Sequence, residues 1–144
     1  MRRLFFLFLL FAAPAAVAGE FRSIGETAAP MYDAPSVKAN KLFVASRFYP
    51  VEVIVQVDNW TKVRDAAGDL AWVEKKNLSG LRTVIVSVAL ADVRRKAEDG
   101  APLAFQAQRG VALEIVELGV DPWVGVRHRG GQTGFVRADQ VWGL

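Results

Sequence analysis

Few side chains in this sequence have the types and spacing that catalysis needs. The 144 residues include no cysteine, which excludes a thiolate nucleophile, and a single histidine, His128. Arg127 and Arg129 flank that histidine, and it is not accompanied by the further histidine or carboxylate ligands of a zinc peptidase. A serine triad would need His128 as its base, and the sequence contains no Gly-x-Ser-x-Gly motif. We therefore expect no enzymatic activity, no metal site and no cofactor.

The paired carboxylates and the histidine have simpler structural explanations. Glu98 and Asp99 fall in a predicted loop, and Asp65 and Asp69 lie in a predicted turn, where solvation accounts for acidic side chains. We interpret His128 as a solvent-facing residue at the end of a strand. These groups therefore do not predict acid–base chemistry.

The elements that must position any functional residue are repeated along the chain. NWTKVRDAAGDLAWVEKKNLSGL, from Asn59, aligns without a gap with PWVGVRHRGGQTGFVRADQVWGL, from Pro122. The residues identical in both copies include Trp60 and Trp123, Val63 and Val126, Arg64 and Arg127, Gly68 and Gly131, Val73 and Val136, and Gly80 and Gly143. Upstream, VEVIVQVD from Val51 parallels LEIVELGVD from Leu113 if one residue is inserted near Gly119. A fixed period of this kind predicts the duplication of one small structural unit.

Short apolar runs separated by turn residues predict an all-β fold for each copy. Gly68 and Gly131 mark a hairpin turn, because glycine adopts positive φ without steric cost. The predicted strands are 31–33, 50–57, 60–65, 70–74 and 83–88 in the first copy, and 90–93, 111–118, 123–128 and 133–137 in the second, with single helical turns at 75–78 and 138–141. Since units this small are marginal alone and no disulfide can form, we expect the copies to share an interface.

The start of the chain predicts export. A basic MRR head precedes an apolar stretch over residues 4–18 that ends in an Ala-x-Ala site, so we expect a signal peptide at 1–18, cleaved after Ala18. This stretch is shorter than the ~20 residues of a spanning helix and contains Pro14. The mature protein is expected to be periplasmic or secreted, with no membrane span. Without Arg2 and Arg3 the formal charge falls from +3 to +1, so we expect no nucleic-acid partner.

The repeated pattern W-x-x-V-R, turn, Gly, W/F-V resembles the bacterial SH3 (SH3b) family, in particular periplasmic proteins with two tandem SH3-like repeats. The pattern occupies residues 60–73 and 123–136. Residues 31–35 resemble the family's opening strand, residues 49–53 the entry to its second strand, and residues 78–84 the junction between repeats. The resemblance implies two small SH3-like β-barrels that pack together. The expected domains are a flexible lead-in at 19–29, a first repeat at 30–88 and a second repeat at 89–144.

The chain departs from the family pattern in two places. Ala71 stands where the family often has a glycine before the aromatic residue, whereas the second copy keeps Gly134. Neither copy has the Asn-Val-Arg-x-Gly-Pro sequence of the first long loop, and the nearest match ends in Arg94, Arg95 and Lys96. This basic cluster is either an anionic-ligand contact or a solvated loop.

The resemblance also directs attention to aromatic residues, because SH3-like barrels hold extended ligands against exposed rings. By position, the candidates are Tyr32, Trp60 and Trp72 in the first copy and Trp123, Phe135 and Trp142 in the second. The alternative is that these rings complete the two cores and the interface between them. Trp60 and Trp123 are the better groove candidates, since each follows a loop.

Two functions fit these observations. The first is an exported, non-catalytic module that binds peptidoglycan peptide or a segment of an envelope protein. The second is a structural or chaperone-like accessory, or a regulatory subunit of a separate cell-wall enzyme, that acts through exposed strand edges. The sequence does not predict an oligomeric state.

Overall fold

Short strands joined by turns make up almost all of residues 19–144, the part of the chain that the computed structural model describes. The signal peptide predicted at 1–18 lies outside the described residues. The first sheet contains β1 (Phe21–Ile24), β2 (Ala29–Tyr32), β3 (Lys41–Ala45), β4 (Pro50–Val57), β5 (Trp60–Arg64), β6 (Leu70–Glu74) and β7 (Leu78–Ser79). The second contains β8 (Thr83–Val86), β9 (Leu90–Arg94), β10 (Leu103–Gln108), β11 (Ala112–Glu117), β12 (Trp123–Arg127), β13 (Thr133–Arg137) and β14 (Val141–Trp142). The predicted all-β fold is confirmed.

The two sheets have the same topology. Their strand orders are β3-β2-β6-β5-β4-β1-β7 and β10-β9-β13-β12-β11-β8-β14, so each strand of the first has a counterpart seven strands later. A single 3-10 turn follows the sixth strand of each sheet, at Lys75–Asn77 and Ala138–Gln140, close to the predicted helical turns. We call the two units the first lobe (β1–β7) and the second lobe (β8–β14).

Two strand assignments made from the sequence are wrong. The flexible lead-in expected at 19–29 contains β1, which pairs with β4 and β7 and buries Ile24 completely. The strand predicted at 83–88 as the last of the first copy is β8, and it pairs with β11 and β14 of the second sheet. Both errors have one cause: β1 and β8 are equivalent strands, so the repeating unit begins one strand earlier than expected.

Each lobe has a core built mainly from small branched residues and alanine. The cores contain Ile24, Ala29, Met31, Ala45, Val51, Val63, Ala71 and Val73 in the first lobe and Val84, Val86, Ala91, Val93, Ala107, Leu113, Val124, Val126, Val136 and Val141 in the second. Side chains alternate along a strand. Val73 and Val136 therefore point inward, and the neighbouring Trp72 and Phe135 are left half-buried on the outer face.

The two lobes contact each other directly. The rings of Phe21 and Trp142 pack edge to face with their centroids 5.3 Å apart. The Thr83 hydroxyl donates a 2.7 Å hydrogen bond to the carbonyl of Phe48, and the Ser23 hydroxyl donates one of the same length to Leu81 in the connector. Only residues 80–82 separate the two sheets, so the connector leaves little freedom for relative motion.

Candidate functional site

The ring of Trp60 lines an open cleft in the first lobe and packs against Tyr32. Their rings pack edge to face with centroids 5.4 Å apart; Tyr32 is buried, and Trp60 remains half-buried. The cleft has a volume of about 590 Å³. Its lining residues are Pro35, Ser36, Val37, Asn59, Trp60, Glu74, Lys75 and Lys76. We call it the Trp60 cleft.

Local hydrogen bonds fix the walls of the Trp60 cleft. Trp60 begins β5 directly opposite Glu74, and the backbone amide of Lys75 donates to the carbonyl of Asn59 at 2.8 Å. The loop that carries Pro35 is closed by Asp33, whose two carboxylate oxygens accept from the backbone and side-chain amides of Asn40 at 3.1 and 3.0 Å. The loop and the turn that line the cleft beside Trp60 are therefore held in place without a ligand.

The rim of the Trp60 cleft is basic. Lys76 lies 3.1 Å from the carboxylate of Glu74, whereas Lys75, also exposed, has no ion-pair partner among residues 19–144. Val37 adds an apolar surface that is 62% exposed. An aromatic ring, a proline and a valine beside an uncompensated ammonium group suit an extended peptide that carries a carboxylate.

The equivalent position in the second lobe is closed. Trp123 is only 8% exposed, and the guanidinium of Arg137, which replaces Glu74, lies 5.8 Å from its ring centroid. Arg137 is held there by Asp139 at 3.4 Å and Asp99 at 3.1 Å. The hydrogen bond to Asp139 and the charges of both carboxylates raise the pKa of Arg137, so this covering group stays charged.

The structure brings together only some of the predicted site residues. Trp60 lines the cleft, Tyr32 is buried and packs against the Trp60 ring, and Trp123 is covered. Trp72 and Phe135 lie on outer strand faces, with the ammonium of Lys62 6.0 Å from the Trp72 ring centroid. Trp142 is part of the contact between the lobes and not of a groove in its own lobe.

The two recurring arginines have a structural role. Arg64 pairs with Glu52 at 3.3 Å on the adjacent strand. Arg127 pairs in the same way with Glu114 at 3.0 Å. Both pairs join directly opposite residues, so the recurrence of these arginines reflects cross-strand pairing.

The histidine and the basic loop are also explained by local contacts. His128 Nδ1 accepts a hydrogen bond from the amide of Gly130 at 3.1 Å, the role that Asp65 plays in the equivalent turn of the first lobe. Arg94 donates to the carbonyl of Ala101 at 2.7 Å, while Arg95 and Lys96 are exposed. Pro35, Val37 and Lys75 were missed by sequence reasoning, although Pro35 and Val37 lie in the loop after Tyr32 and Lys75 begins the 3-10 turn after β6.

The pKa of Tyr49 is raised by burial and by nearby carboxylates, and its effect on stability can be measured. Burial raises the pKa of its phenol above the ordinary 10.0, and the charges of Asp65 and Asp69 raise it further. As the pH rises, the Tyr49 phenol therefore loses its proton at a lower pH in the unfolded chain than in the folded protein. Its contribution to stability is present below pH 10.0 and is lost as the pH rises through the pKa of the folded state. We expect urea unfolding at about pH 9 and about pH 11 to show a smaller alkaline loss of stability in Tyr49→Phe than in the parent. An equal loss in both proteins would contradict this assignment.

No group of three or more histidine, aspartate or glutamate side chains within residues 19–144 is placed to hold a metal ion. Over the same residues, no helix is long and apolar enough to cross a membrane.

The duplicated seven-strand topology, the paired hairpins and the 3-10 turns define the protein as a tandem of SH3-like β domains. The bacterial SH3 domain family model matches residues 25–80 and 87–143, and the chain belongs to that family. The resemblance seen in the sequence is thereby confirmed.

Solved structures give a more distant likeness. NlpC1 from Trichomonas vaginalis is 12% identical with a TM-score of 0.40, and 90% of this chain aligns with 47% of that one. NlpC2 from the same organism is 14% identical with a TM-score of 0.39, and 85% of this chain aligns with 47% of that one. The chain thus spans about half the length of either structure. A comparison with curated proteins finds no match.

Proposed function

We propose that this protein is an exported, non-catalytic binding module of the bacterial envelope. Its ligand is an extended peptide, either the stem peptide of peptidoglycan or a segment of an envelope protein, held in the Trp60 cleft. The observation that carries the proposal is the difference between the lobes: the ring of Trp60 lines an open cleft, whereas Arg137 covers the ring of Trp123. A ring that served only the core would need no open space beside it.

The chemistry of the cleft supports a carboxylate-bearing peptide. Stem peptides are short and extended and carry free carboxylates, which suit the exposed ammonium of Lys75. Pro35 and Val37 provide apolar contacts for the side chains between those charges. The signal sequence predicted at 1–18 supports placing the protein in the periplasm or outside the cell.

A non-catalytic role fits the surroundings of the polar residues. The sequence has no cysteine, and His128 is engaged with the backbone of its own turn. Asp65 likewise accepts hydrogen bonds from the amides of Ala67 and Asp69 at 3.0 and 2.9 Å. These side chains stabilise turns, so the proposal assigns the protein no reaction of its own.

Retention on purified sacculi tests the cleft. We expect Trp60→Ala to lower retention of the mature protein about 30-fold, because a central ring in a binding site contributes about 2 kcal/mol or more. Trp72→Ala is the matched control: it removes a half-buried ring of the same lobe that does not line the cleft. The measurement is the bound fraction in a pull-down across protein concentrations. Equal retention of both variants and the parent would reject the cleft as the wall-binding site.

The strand edge of the first lobe supports a second candidate function. Strand β3 ends its sheet and exposes Leu42 by 51%, Phe43 by 36% and Val44 by 61%. Such an edge can accept a strand from a partner, as a structural or regulatory accessory of a cell-wall enzyme would require. Crosslinking in cells separates the two: capture that survives Trp60→Ala but is lost in Leu42→Lys favours the accessory role.

A further inference from the structure

A groove between the two lobes has charges of opposite sign at its two ends. One part, of about 470 Å³, is lined by the acidic turn of the first lobe, and an adjoining part, of about 250 Å³, by the basic turn of the second. The two parts meet along Ser46, Arg47, Gly110 and Ala112, which line both. This interlobe groove is distinct from the Trp60 cleft, with which it shares no lining residue.

The acidic end is formed by Asp65, Asp69 and the phenol of Tyr49. One oxygen of Asp65 is used by turn amides, but the side chain of Asp69 is exposed and makes no hydrogen bond or ion pair within residues 19–144. The negative potential here is strong enough to raise the pKa of Tyr49, in addition to the effect of burial. The same potential favours a cation.

The basic end is formed by Arg129 and His128, and Arg47 lies where the two parts meet. Arg47 pairs at 3.3 Å only with the highly exposed Glu26, and Arg129 is exposed with no ion pair among the described residues. His128 Nδ1 accepts from the backbone, which leaves Nε2 to carry the ring proton and to donate. These donors suit a carboxylate.

The acidic part of the groove also has an apolar wall. Phe43 and Val44 contribute most of it, and Phe43 packs against Tyr49 with ring centroids 6.4 Å apart. At Gly110 a Cβ atom would meet nothing within 4 Å, so there is free space where the two parts join. A ligand that spans the groove therefore meets an apolar wall as well as charged groups of both signs.

The equivalent hairpin turns of the two repeats carry different charges at the interlobe groove. The two charged turns, 65–69 and 128–132, are equivalent hairpin turns that face one groove from different lobes. Asp65 and Asp69 of the first turn correspond to His128 and Gln132 of the second. The two turns keep their hydrogen bonds to the backbone but differ in charge, and turn geometry alone does not require that difference.

We propose that the interlobe groove is a second binding site, and that it takes an extended peptide segment with an ammonium or guanidinium side chain at one end and a carboxylate at the other. The apolar residues of the ligand lie against Phe43 and Val44. The contacts of Phe21 with Trp142 and of Thr83 with Phe48 hold the lobes in the relative position that shapes the site.

Titration of a defined peptide tests the proposal. The probe is acetyl-Lys-Val-Thr-Val-Glu-amide, whose only charges are the two side chains, and binding to residues 19–144 is followed by calorimetry and by NMR shifts. We expect Asp69→Asn and Arg129→Gln each to weaken binding about fivefold, as for partly solvated ion pairs. The controls Asp58→Asn and Arg95→Gln remove exposed charges outside the groove and should change nothing.

Three further measurements make the result specific. Replacing the lysine of the probe with norleucine should cancel the effect of Asp69→Asn, and Ala112→Trp should block the groove and abolish binding. Trp60→Ala should leave binding of the probe unchanged, so this experiment tests the interlobe groove independently of the Trp60 cleft. Absence of saturable binding, loss of binding in Trp60→Ala, or a concentration-dependent dimer disrupted by Ala112→Trp would each overturn the proposal.

Discussion

Replacing Gly134 with alanine is expected to destabilise the second lobe by about 2–3 kcal/mol, the upper range for overpacking a core. A Cβ atom at this position would lie 2.7 Å from the carbonyl oxygen of Arg94 and 2.7 Å from a methyl of Val93. The first of these atoms is backbone and cannot rotate away. Because Gly134 lies in β13, next to β9, the substitution should push those two strands apart. The measurement is the free energy of unfolding from urea denaturation.

The repeats provide the control for Gly134→Ala. The first lobe has alanine at the equivalent position, Ala71, which is 5% exposed and fits beside the flexible Met31 in place of the branched Val93. Gly100→Ala adds the same methyl group where nothing lies within 4 Å and should change stability by less than about 0.5 kcal/mol. If Gly134→Ala costs no more than Gly100→Ala, the close approach of β13 to β9 is not a constraint.

Leu113→Ala should have an effect of similar or larger size, about 3 kcal/mol. Leu113 is fully buried at the centre of the second core, and removing its three outer carbons leaves a cavity among branched side chains that cannot collapse freely. Leu118→Ala, one residue beyond the end of the same strand and 77% exposed, is the matched control and should be nearly neutral. Similar unfolding free energies for the two variants would show that the core packs differently.

The same variant reports on coupling between the lobes. Each lobe has its own core. The contacts between the lobes include the Phe21–Trp142 pair, the Thr83–Phe48 hydrogen bond and the packing of β4 against β8. We therefore expect Leu113→Ala to separate thermal unfolding into two steps, with the second lobe melting first. A single step at a lowered temperature would mean that the junction couples the lobes more strongly than its contacts indicate.

Much of the fold could be predicted because its signals are local. The recurring hairpin glycines adopt φ of 88° at Gly68 and 94° at Gly131, as their turns require. The strand β1 could not be predicted, since its four residues lie within the small and polar segment 19–29 and gain their structure from pairing with β4 and β7 far along the chain. The strand β8 was assigned to the wrong unit for the same reason, because sheet membership depends on non-local partners.

The candidate site was predictable in part. Trp60 could be predicted because it follows a loop. Whether a tryptophan ring at this position is exposed to solvent or covered by another side chain depends on residues elsewhere in the sequence. The exchange of Glu74 for Arg137 between the repeats was visible in the alignment and was the available signal that Trp123 differs from Trp60. The interlobe groove had no such signal, because it exists only once the two lobes are placed side by side.

The pairing of Phe21 with Trp142 brings the beginning and the end of the described chain to the same place. A circular permutation that joins these two ends would need only a short linker, and new termini could be opened at an exposed hairpin tip. A fusion partner attached to either end would emerge beside the junction of the lobes. The mouth of the Trp60 cleft, which none of these junction residues lines, would stay accessible in both arrangements.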